Sequence, residues 1–141
     1  MPGKPVPFED VNKQIIDEFR ANEGRVGGRS ENMTLLLLHQ TGAKSGIERV
    51  IPLVYMAQNG SYVLIASLGG APHNPAWYFN LKANPDVAIE VGTERINAVA
   101  AEATGAERDR LFQTMADQFP IFHEYQTKTD RVLPVIVLSP R

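Results

Sequence analysis

The chain has 141 residues and contains no cysteine. Without thiols it can form no disulfide bond, no thiolate nucleophile and no cysteine-ligated zinc or iron–sulfur centre. An excess of charge of one sign is also missing, since 14 Lys and Arg side chains stand against 16 Asp and Glu, for a net charge of -2. This balance gives no general reason to expect nucleic acid or an anionic membrane as a partner.

Long apolar runs are missing as well. The longest uncharged one, Met33–Leu38, has the length of a strand and falls short of the roughly 18 residues that cross a bilayer. The N-terminal sequence MPGKPVPFED has no signal-peptide core. We therefore predict a cytoplasmic protein, with peripheral contact at the inner face of the cell membrane as the open alternative.

Several catalytic signatures do not occur in the sequence. His39, His73 and His123 are scattered and, apart from the adjacent Glu124, have no ligand-type neighbour at helical spacing. A structural role is the expectation for each, and no metal site is predicted. No G-x-S-x-G nucleophile motif and no G-x-G-x-x-G phosphate loop is present either.

Length and composition predict one folded domain over residues 1–141, in which residues 1–30 form an N-terminal helix and a flexible linker. A hydrophobic fraction of 43% and a charged fraction of 21% suit a globular core. Because so short a chain has little room for an elaborate active site, any enzymatic chemistry is expected to come from a bound cofactor.

Apolar residues recur at helical spacing from Phe8 to Phe19, which predicts an amphipathic helix that ends near Asn22 and Gly24. The pattern then becomes that of strands, predicted at Met33–His39, Arg49–Met56 and Tyr62–Ser67, with a hairpin turn at Gln58–Gly60. Pro52 is expected at an edge or a bulge because it lacks an N–H group.

The second half begins with a helix whose N-cap is predicted at Asn74, followed by Pro75. Strands are predicted at Val87–Val91, at Glu94–Ala103 and, as the last one, at Val132–Leu138. Between the last two strands, a helix is predicted that Thr104 and Glu107 cap and that runs to Phe119. A polar and aromatic linker, PIFHEYQTKTDR, is expected before that strand, and Pro134 again predicts an edge or a bulge.

The strands come in hairpin-linked groups rather than alternating with helices, which favours antiparallel over parallel pairing. The predicted fold is therefore mainly β, in the α+β class: an antiparallel barrel of six strands with helices packed outside it.

The turn sequence TGAKSG, Thr41–Gly46, is the first candidate site. Lys44 and Arg49 place two cations beside the hydroxyl groups of Thr41 and Ser45 and several backbone N–H groups. Such a group can bind a phosphate or a polycarboxylate. A solvated hairpin turn is the open alternative.

The second candidate stretch is ASLGGAPHNPAWYFNLKANP. Gly69 and Gly70, directly after Ser67, allow a flat ligand to approach the backbone closely because glycine has no Cβ. Trp77 is expected either to line this site or to pack the following helix against the barrel.

Three separated motifs carry a resemblance to a known family. QTGAKSGxxR followed by P-L, then VxxAS-x-GGAPxxPAWYxNLKANPxV, and PxFxxYQxxTDRxxPVIVL resemble the deazaflavin-dependent nitroreductases and F420H2-dependent quinone reductases. The match runs from about Gly24 to Pro140. It implies a split β-barrel that uses reduced coenzyme F420 as a hydride donor.

The resemblance also implies roles for individual residues. The implied cofactor-binding residues are Thr41, Lys44, Ser45, Arg49, Pro52, Ser67, Leu68, Gly69, Gly70 and Trp77, the first four of them for the phosphate and oligoglutamate tail and the others near the deazaflavin ring. Ser67 and Tyr125 are the implied catalytic residues, and either of them or water could give the acceptor its proton.

Departures from the family pattern bear on the acceptor. Ala43 and Leu68 stand where polar residues are common in the family, and the late loop has Phe119 and Phe122 beside Tyr125. A small planar acceptor, a quinone rather than a nitroaromatic compound, is therefore expected. The partner prediction is this small molecule, with the chain as a monomer or a homodimer. Open alternatives are a non-catalytic carrier of F420 or a lipid-like ligand, and an FMN-binding flavoprotein.

Overall fold

The computed structural model describes residues 8–24 and 34–141. The helices in these residues are α1 (Phe8–Ala21), α2 (Ala76–Ala83), α3 (Gly105–Gln118) and α4 (Ile121–Thr127), with a short 3-10 turn at Leu68–Gly70. The strands are β1 (Leu35–Thr41), β2 (Glu48–Val54), β3 (Met56–Gln58), β4 (Ser61–Ile65), β5 (Asp86–Val91), β6 (Glu94–Glu102) and β7 (Val135–Pro140). The predicted linker at Gly24–Asn32 lies outside the described residues after Gly24.

The strands form one sheet in the order β2-β1-β5-β6-β7-β4-β3, in which every pair is antiparallel. The two end strands, β2 and β3, are consecutive in the chain and separated only by Tyr55. The sheet must therefore curl until its ends meet, which gives the split barrel that was predicted.

The prediction of six strands was wrong, because the sheet has seven. The stretch predicted as one strand, Arg49–Met56, divides at Tyr55, so that β2 pairs with β1 and β3 pairs with β4. Tyr55 donates its N–H to the Thr34 carbonyl oxygen at 3.0 Å, and the Thr34 hydroxyl donates to the Tyr55 carbonyl oxygen at 2.7 Å. These bonds hold the bend where the strand changes partner.

The two strand prolines behave differently from each other. Pro52 lies in β2, at one end of the sheet order, as predicted. Pro134 does not lie in a strand, because β7 begins at Val135 and runs between β6 and β4 in the sheet interior. A residue without an N–H group can precede an interior strand but cannot donate within it.

Three predictions for the helix ends were wrong. The N-cap of α2 is Pro75 rather than Asn74, whose side-chain oxygen accepts a hydrogen bond from Arg131 at 2.6 Å. Thr104 is the N-cap of α3, but its side chain makes no capping bond, so the capping box is not closed. At the end of α1, Gly24 has a positive φ as predicted, but the second residue with a positive φ is Glu23 rather than Asn22.

The expected linker after Phe119 is also wrong, because it contains helix α4. Burial explains the difference: Phe122 on this helix is 5% exposed and packs into the same core as Phe119. The ring pair Phe119–Phe122 meets edge to face with centroids 6.5 Å apart. An apolar residue every third position is a weak signal in so short a helix.

Two large clusters form the core, one between the sheet and helices α3 and α4, and one between the sheet and α2. The strand β1 is buried over nearly its whole length, as its uninterrupted apolar sequence predicts. No helix in the described residues is long and apolar enough to cross a bilayer.

Helix α1 is docked on the barrel through its C-terminal half. Phe19 is 1% exposed and packs against Leu35 and Leu37. Arg20 donates two hydrogen bonds to the Glu90 carboxylate, at 2.7 and 3.2 Å. The register of α1 on the barrel is thereby fixed by one buried ring and one bidentate ion pair.

Candidate active site

A cleft of about 740 Å³ opens between the β2 strand, the end of β4 and helices α1, α2 and α4. Predicted site residues on its wall are Arg49, Pro52, Ser67, Leu68, Gly69, Trp77 and Tyr125. Other lining residues include Asn12, Ile15, Gln40, Ile51, Asn80 and Phe122. The structure thus brings together residues from both halves of the sequence on a mainly apolar wall.

The Ser67–Ala71 turn forms one side of the cleft and has an unusual backbone. Leu68, Gly69 and Gly70 have φ values of 46°, 64° and 86°. Leu68 is the exception among them, because residues with a Cβ rarely adopt this left-handed conformation, and its side chain is 40% exposed. Strain of this kind is kept at ligand sites when the surroundings enforce it.

The two glycines of the turn serve different purposes. A Cβ on Gly69 would meet nothing within 4 Å, so the backbone at this point of the cleft is open to a ligand. A Cβ on Gly70 would lie 2.7 Å from the Tyr125 carbonyl oxygen and 2.8 Å from the Lys128 Cβ. Gly70 therefore does not line the cleft; it lets α4 pack directly against the back of the turn.

Several polar atoms on the cleft wall are free. Ser67 Oγ, Trp77 Nε1 and Tyr125 Oη make no hydrogen bond to any residue that the structure describes. No completely buried side-chain nitrogen or oxygen in those residues lacks a partner. Ser67 and Trp77 are only 8% and 7% exposed. Because their polar atoms have no partner and are not completely buried, a bound molecule can reach them. Trp77 both lines the cleft and packs in the core.

Two cationic side chains in this part of the molecule have no counter-ion. The side chains of Lys44 and Arg49 form no ion pair or hydrogen bond with the described part of the chain. The other charges of this region are engaged, since Lys82 Nζ lies 2.9 Å from Glu102 and Glu48 lies 2.7 Å from His39. Lys44 and Arg49 are therefore the cations of this region whose charge is available to a ligand.

The Thr41–Gly46 turn lies beside the cleft rather than on its wall, so Thr41, Lys44 and Ser45 are not lining residues. Ser45 Oγ accepts the Ile47 N–H at 3.2 Å within the turn. Helix α2 anchors the turn: Asn80 Oδ1 accepts the Ala43 N–H at 2.9 Å, and Asn80 Nδ2 donates to Gln40 Oε1 at 2.5 Å. The turn is thus fixed to the element that also carries Trp77.

Aromatic and aliphatic side chains line the cleft together with the Ser67–Ala71 turn. The rings of Phe122 and Tyr125 meet edge to face with centroids 6.0 Å apart, and Ile15 of α1 lies on the same cleft. Phe119 belongs to the same core cluster as Phe122 but does not line the cleft. Of the two phenylalanines predicted beside the acceptor, only Phe122 is therefore on the cleft wall.

His39 has close acidic partners, contrary to the sequence expectation. Its Nδ1 lies 2.7 Å from Glu48 and its Nε2 lies 2.6 Å from Glu90. The hydrogen bond with His39 lowers the pKa of Glu48, while the hydrogen bond from Arg20 is the main cause that lowers the pKa of Glu90. His39 of β1 thus contacts Glu48 of β2 and Glu90 of β5. No group of three or more potential metal ligands occurs among the described residues.

Sequence reasoning missed Gln40, Asn80 and the contribution of α1 to the cleft. Gln40 is 3% exposed in a strand that begins with four leucines, and a polar residue in a strand predicted to be buried was the available signal. Asn80 lies within the second motif but was given no role. Asn12 and Ile15 could not be placed, because a helix at the start of the chain can dock on several faces of a barrel.

The fold and the cleft together define a small split-barrel protein with an apolar cleft and a cation, Arg49, on its wall. A solved structure described as an F420-H2 dependent reductase is 42% identical, covers 74% of this chain and 93% of its own, and superposes with a TM-score of 0.69. A second one, described as a domain-swapped dimer, is 36% identical, covers 95% of this chain and all (100%) of its own, and has a TM-score of 0.72.

The sequence comparisons agree with the structural ones. The F420H(2)-dependent quinone reductase of Mycobacterium tuberculosis H37Rv is 40% identical in an alignment of 127 residues that covers 87% of this chain and 85% of the relative. The family profile of the F420H(2)-dependent quinone reductases matches residues 12–140. The chain belongs to this family, and is an oxidoreductase that transfers a hydride from reduced coenzyme F420 to a quinone.

The residues present fit this cofactor. The open backbone at Gly69 leaves room for a flat ring against the turn, and the unpaired Lys44 and Arg49 suit an anionic tail. A cleft of 740 Å³ falls in the size range of cofactor sites.

Proposed function

We propose that F420 binds with its deazaflavin ring along the Ser67–Ala71 turn and its tail toward Lys44 and Arg49. The observation that carries this proposal is the left-handed turn at Leu68–Gly70, whose Gly69 opens onto an apolar cleft. A turn without side chains at the point of contact allows a ring to approach the backbone closely. Pro52 and Trp77 lie on the same cleft and complete the ring site.

The tail site continues from the cleft to its outside. Arg49 is on the wall, and the Thr41–Gly46 turn that carries Lys44 directly precedes β2. Phosphate and carboxylate groups leaving the cleft at Arg49 would therefore meet Lys44 next. Thr41 and Ser45 are proposed as secondary hydroxyl contacts of the same tail.

Reduced F420, when bound, supplies the hydride for the reaction. The chain orients the two reactants and keeps water away with apolar side chains such as Ile51 and Phe122. Ser67 and Tyr125 are the proposed catalytic residues, because their hydroxyl groups are free to donate a proton to a reduced acceptor. Water at the cleft mouth is the alternative donor.

The proposed acceptor position is the part of the cleft beside Tyr125 and Phe122. Ile15 from helix α1 also lines the cleft, whose wall is largely apolar. An apolar quinone gains more from such a wall than a polar nitroaromatic compound does. Turnover of nitro compounds is therefore proposed to be the weaker activity.

Three broader expectations stay proposals. We propose a single domain over residues 1–141 and a homodimer rather than a monomer, the latter supported by the relative described as a domain-swapped dimer. Location in the cytoplasm, with peripheral contact at the inner face of the membrane as the alternative, stays a prediction.

Replacement of Lys44 tests the tail site. Lys44→Ala is expected to weaken F420 binding by about 1–3 kcal/mol, the scale of a hydrogen bond to a charged group. The matched control is Lys82→Ala. Lys82 is also an exposed lysine, but it is paired with Glu102 and does not line the cleft. The measurement is a fluorescence titration of each variant with oxidised F420.

The kinetic readout separates binding from chemistry. For Lys44→Ala we expect a higher KM for F420H2 and little change in kcat for menadione, because the tail contact is the same before and during the reaction. An unchanged dissociation constant for Lys44→Ala would remove Lys44 from the site. Binding without any menadione reduction would favour a carrier, and a yellow purified protein with bound FMN would favour a flavoprotein.

A further inference from the structure

Arg131 lies outside the cleft but makes a dense set of contacts with the back of the Ser67–Ala71 turn. Its guanidinium donates to three carbonyl oxygens and one side-chain amide: Ala71 at 2.8 Å, Ala66 at 3.2 Å, Ser67 at 2.7 Å and Asn74 Oδ1 at 2.6 Å. These acceptors are 57 to 65 positions away in the sequence. One side chain therefore ties together both ends of the turn.

We propose that Arg131 is a positioning residue that holds the Ser67–Ala71 turn in the left-handed conformation needed to receive the F420 ring. This inference rests on the proposed ring site at the same turn. Arg131 acts through the backbone of the turn and is not itself on the cleft wall.

The backbone of the turn explains why such support is needed. Leu68 has a φ of 46°, a conformation that costs a residue with a Cβ about 1–2 kcal/mol. Such a turn persists only where several contacts enforce it. The Ala66 N–H bond to the Pro134 carbonyl oxygen at 2.9 Å is one contact, and the close approach of Gly70 to α4 is another. Arg131 adds four more.

The geometry requires an arginine in particular. Three donor nitrogens of the planar guanidinium reach four acceptors at once, and a lysine ammonium cannot spread its three protons over the same positions. No carboxylate of the described residues lies within 4.0 Å of this guanidinium. The Lys and Arg side chains that form ion pairs at that distance are Arg20, Lys82, Arg108 and Arg141. Its charge is therefore directed at backbone carbonyl oxygens.

Arg131 is itself held in place by its own segment. Gln126 Nε2 of α4 donates to the Arg131 carbonyl oxygen at 2.8 Å, and the Arg131 N–H donates to Thr129 Oγ1 at 3.3 Å. Helix α4 also carries Tyr125, which lines the cleft. The same few residues thus connect the residues proposed beside the acceptor with the back of the turn.

The test compares Arg131→Lys with Arg108→Lys. Arg108 is a suitable control because it also donates two bonds to a backbone carbonyl oxygen, that of Leu133 at 2.7 and 3.2 Å, but has no contact with the turn. Thermal unfolding, hydrogen–deuterium exchange of the free protein and F420 titration are measured for both variants. Arg131→Ala with added guanidinium at millimolar concentration provides a rescue experiment.

For Arg131→Lys we expect faster amide exchange in residues 67–71 of the free protein, and a dissociation constant for F420 about tenfold higher, equivalent to one lost hydrogen bond. Arg108→Lys is expected to lower the unfolding temperature without changing either quantity. Added guanidinium should restore F420 binding to Arg131→Ala but leave Arg108→Ala unchanged.

Two results would overturn the inference, and only the second of them would also overturn the proposed ring site. Unchanged exchange in residues 67–71 of Arg131→Lys would show that Arg131 does not hold the turn, and the ring site would stand. Faster exchange with unchanged F420 affinity would show that the turn does not receive the ring, so the inference and the proposed ring site would fail together.

Discussion

At the scale of single residues, three consecutive positive φ values, at Leu68, Gly69 and Gly70, occur where the cofactor is proposed to bind. Leu68 is one of three residues other than glycine with a positive φ among those that the structure describes, and the other two lie in turns at Glu23 and Asn59. Those two are exposed turn positions, whereas Leu68 lies on the cleft. The strain at Leu68 is therefore tied to a site.

Gly70 offers a sharp test at this scale. Gly70→Ala would place a Cβ 2.7 Å from the Tyr125 carbonyl oxygen, at a φ of 86°. We expect it to lower the free energy of unfolding by about 2–4 kcal/mol, from backbone strain and the displacement of α4 together. It should also weaken F420 binding, because α4 and the turn move apart. Chemical unfolding and F420 titration measure the two effects.

Gly60→Ala is the matched control for that variant. Gly60 has a φ of 82°, but a Cβ there would meet nothing within 4 Å. It should cost only about 1 kcal/mol of backbone strain and leave F420 affinity unchanged. Equal destabilisation by the two variants would mean that the contact between Gly70 and α4 is unimportant.

Much of the site could be predicted from the sequence because its residues lie in short motifs with evident chemistry. Arg49, Ser67 and Gly69 each follow a strand or turn signal and line the cleft. Arg131 and Asn80 could not be assigned roles in this way. Their function depends on contacts that span 37 to 65 positions, which no local pattern records.

At the scale of elements, helix α1 shows where sequence periodicity stops being informative. The apolar spacing predicts the helix and its buried side, but the docking depends on the pairing of Arg20 with Glu90, 70 positions away. This pair joins α1 to β5, and through His39 to Glu48 of β2. Docked in this way, α1 brings Ile15 to the cleft.

The Glu90 pairing predicts a specific pH dependence of stability. The pKa of Glu90 in the folded protein lies below its ordinary value of 4.5, chiefly because Arg20 donates hydrogen bonds to the carboxylate. A lowered folded-state pKa stabilises the protein above the unfolded-state value, and that contribution is lost as the pH falls through the folded-state pKa. Glu90→Gln should therefore destabilise the protein by about 1–2 kcal/mol at neutral pH.

The measurement is thermal unfolding of both proteins between pH 3 and pH 7. The difference between wild type and Glu90→Gln should be constant above about pH 5 and shrink as the pH falls below 4.5. Glu94→Gln, at an exposed position on the next strand, is the control and should show no such difference. A gap between wild type and Glu90→Gln that persists at the lowest pH would contradict the assignment.

The division of one predicted strand into β2 and β3 is a second limit at this scale. Residues on both sides of Tyr55 have strand-forming sequences, and nothing local marks a change of partner. The bend is set by Thr34, which bonds to Tyr55 from a distant part of the chain. The sequence therefore predicts that strands exist here. Which strand each of them pairs with depends on how the whole sheet closes.

At the scale of the whole molecule, the small net charge of -2 conceals an uneven distribution. Glu48, Glu90 and Glu102 are all taken up by ion pairs with neighbouring side chains, while Lys44 and Arg49 are left without partners among the described residues. The barrel therefore offers an apolar cleft with a cationic end. A short chain can in this way bind a large anionic cofactor and rely on it for the reaction.

The most direct measurement of the proposed site is hydrogen–deuterium exchange of the wild-type protein with and without F420. The account predicts slower exchange on binding in residues 41–49 and 67–71, and no change in the Val91–Glu94 hairpin, which does not line the cleft. Binding of F420 with protection confined to other parts of the chain, and none in residues 67–71, would contradict it.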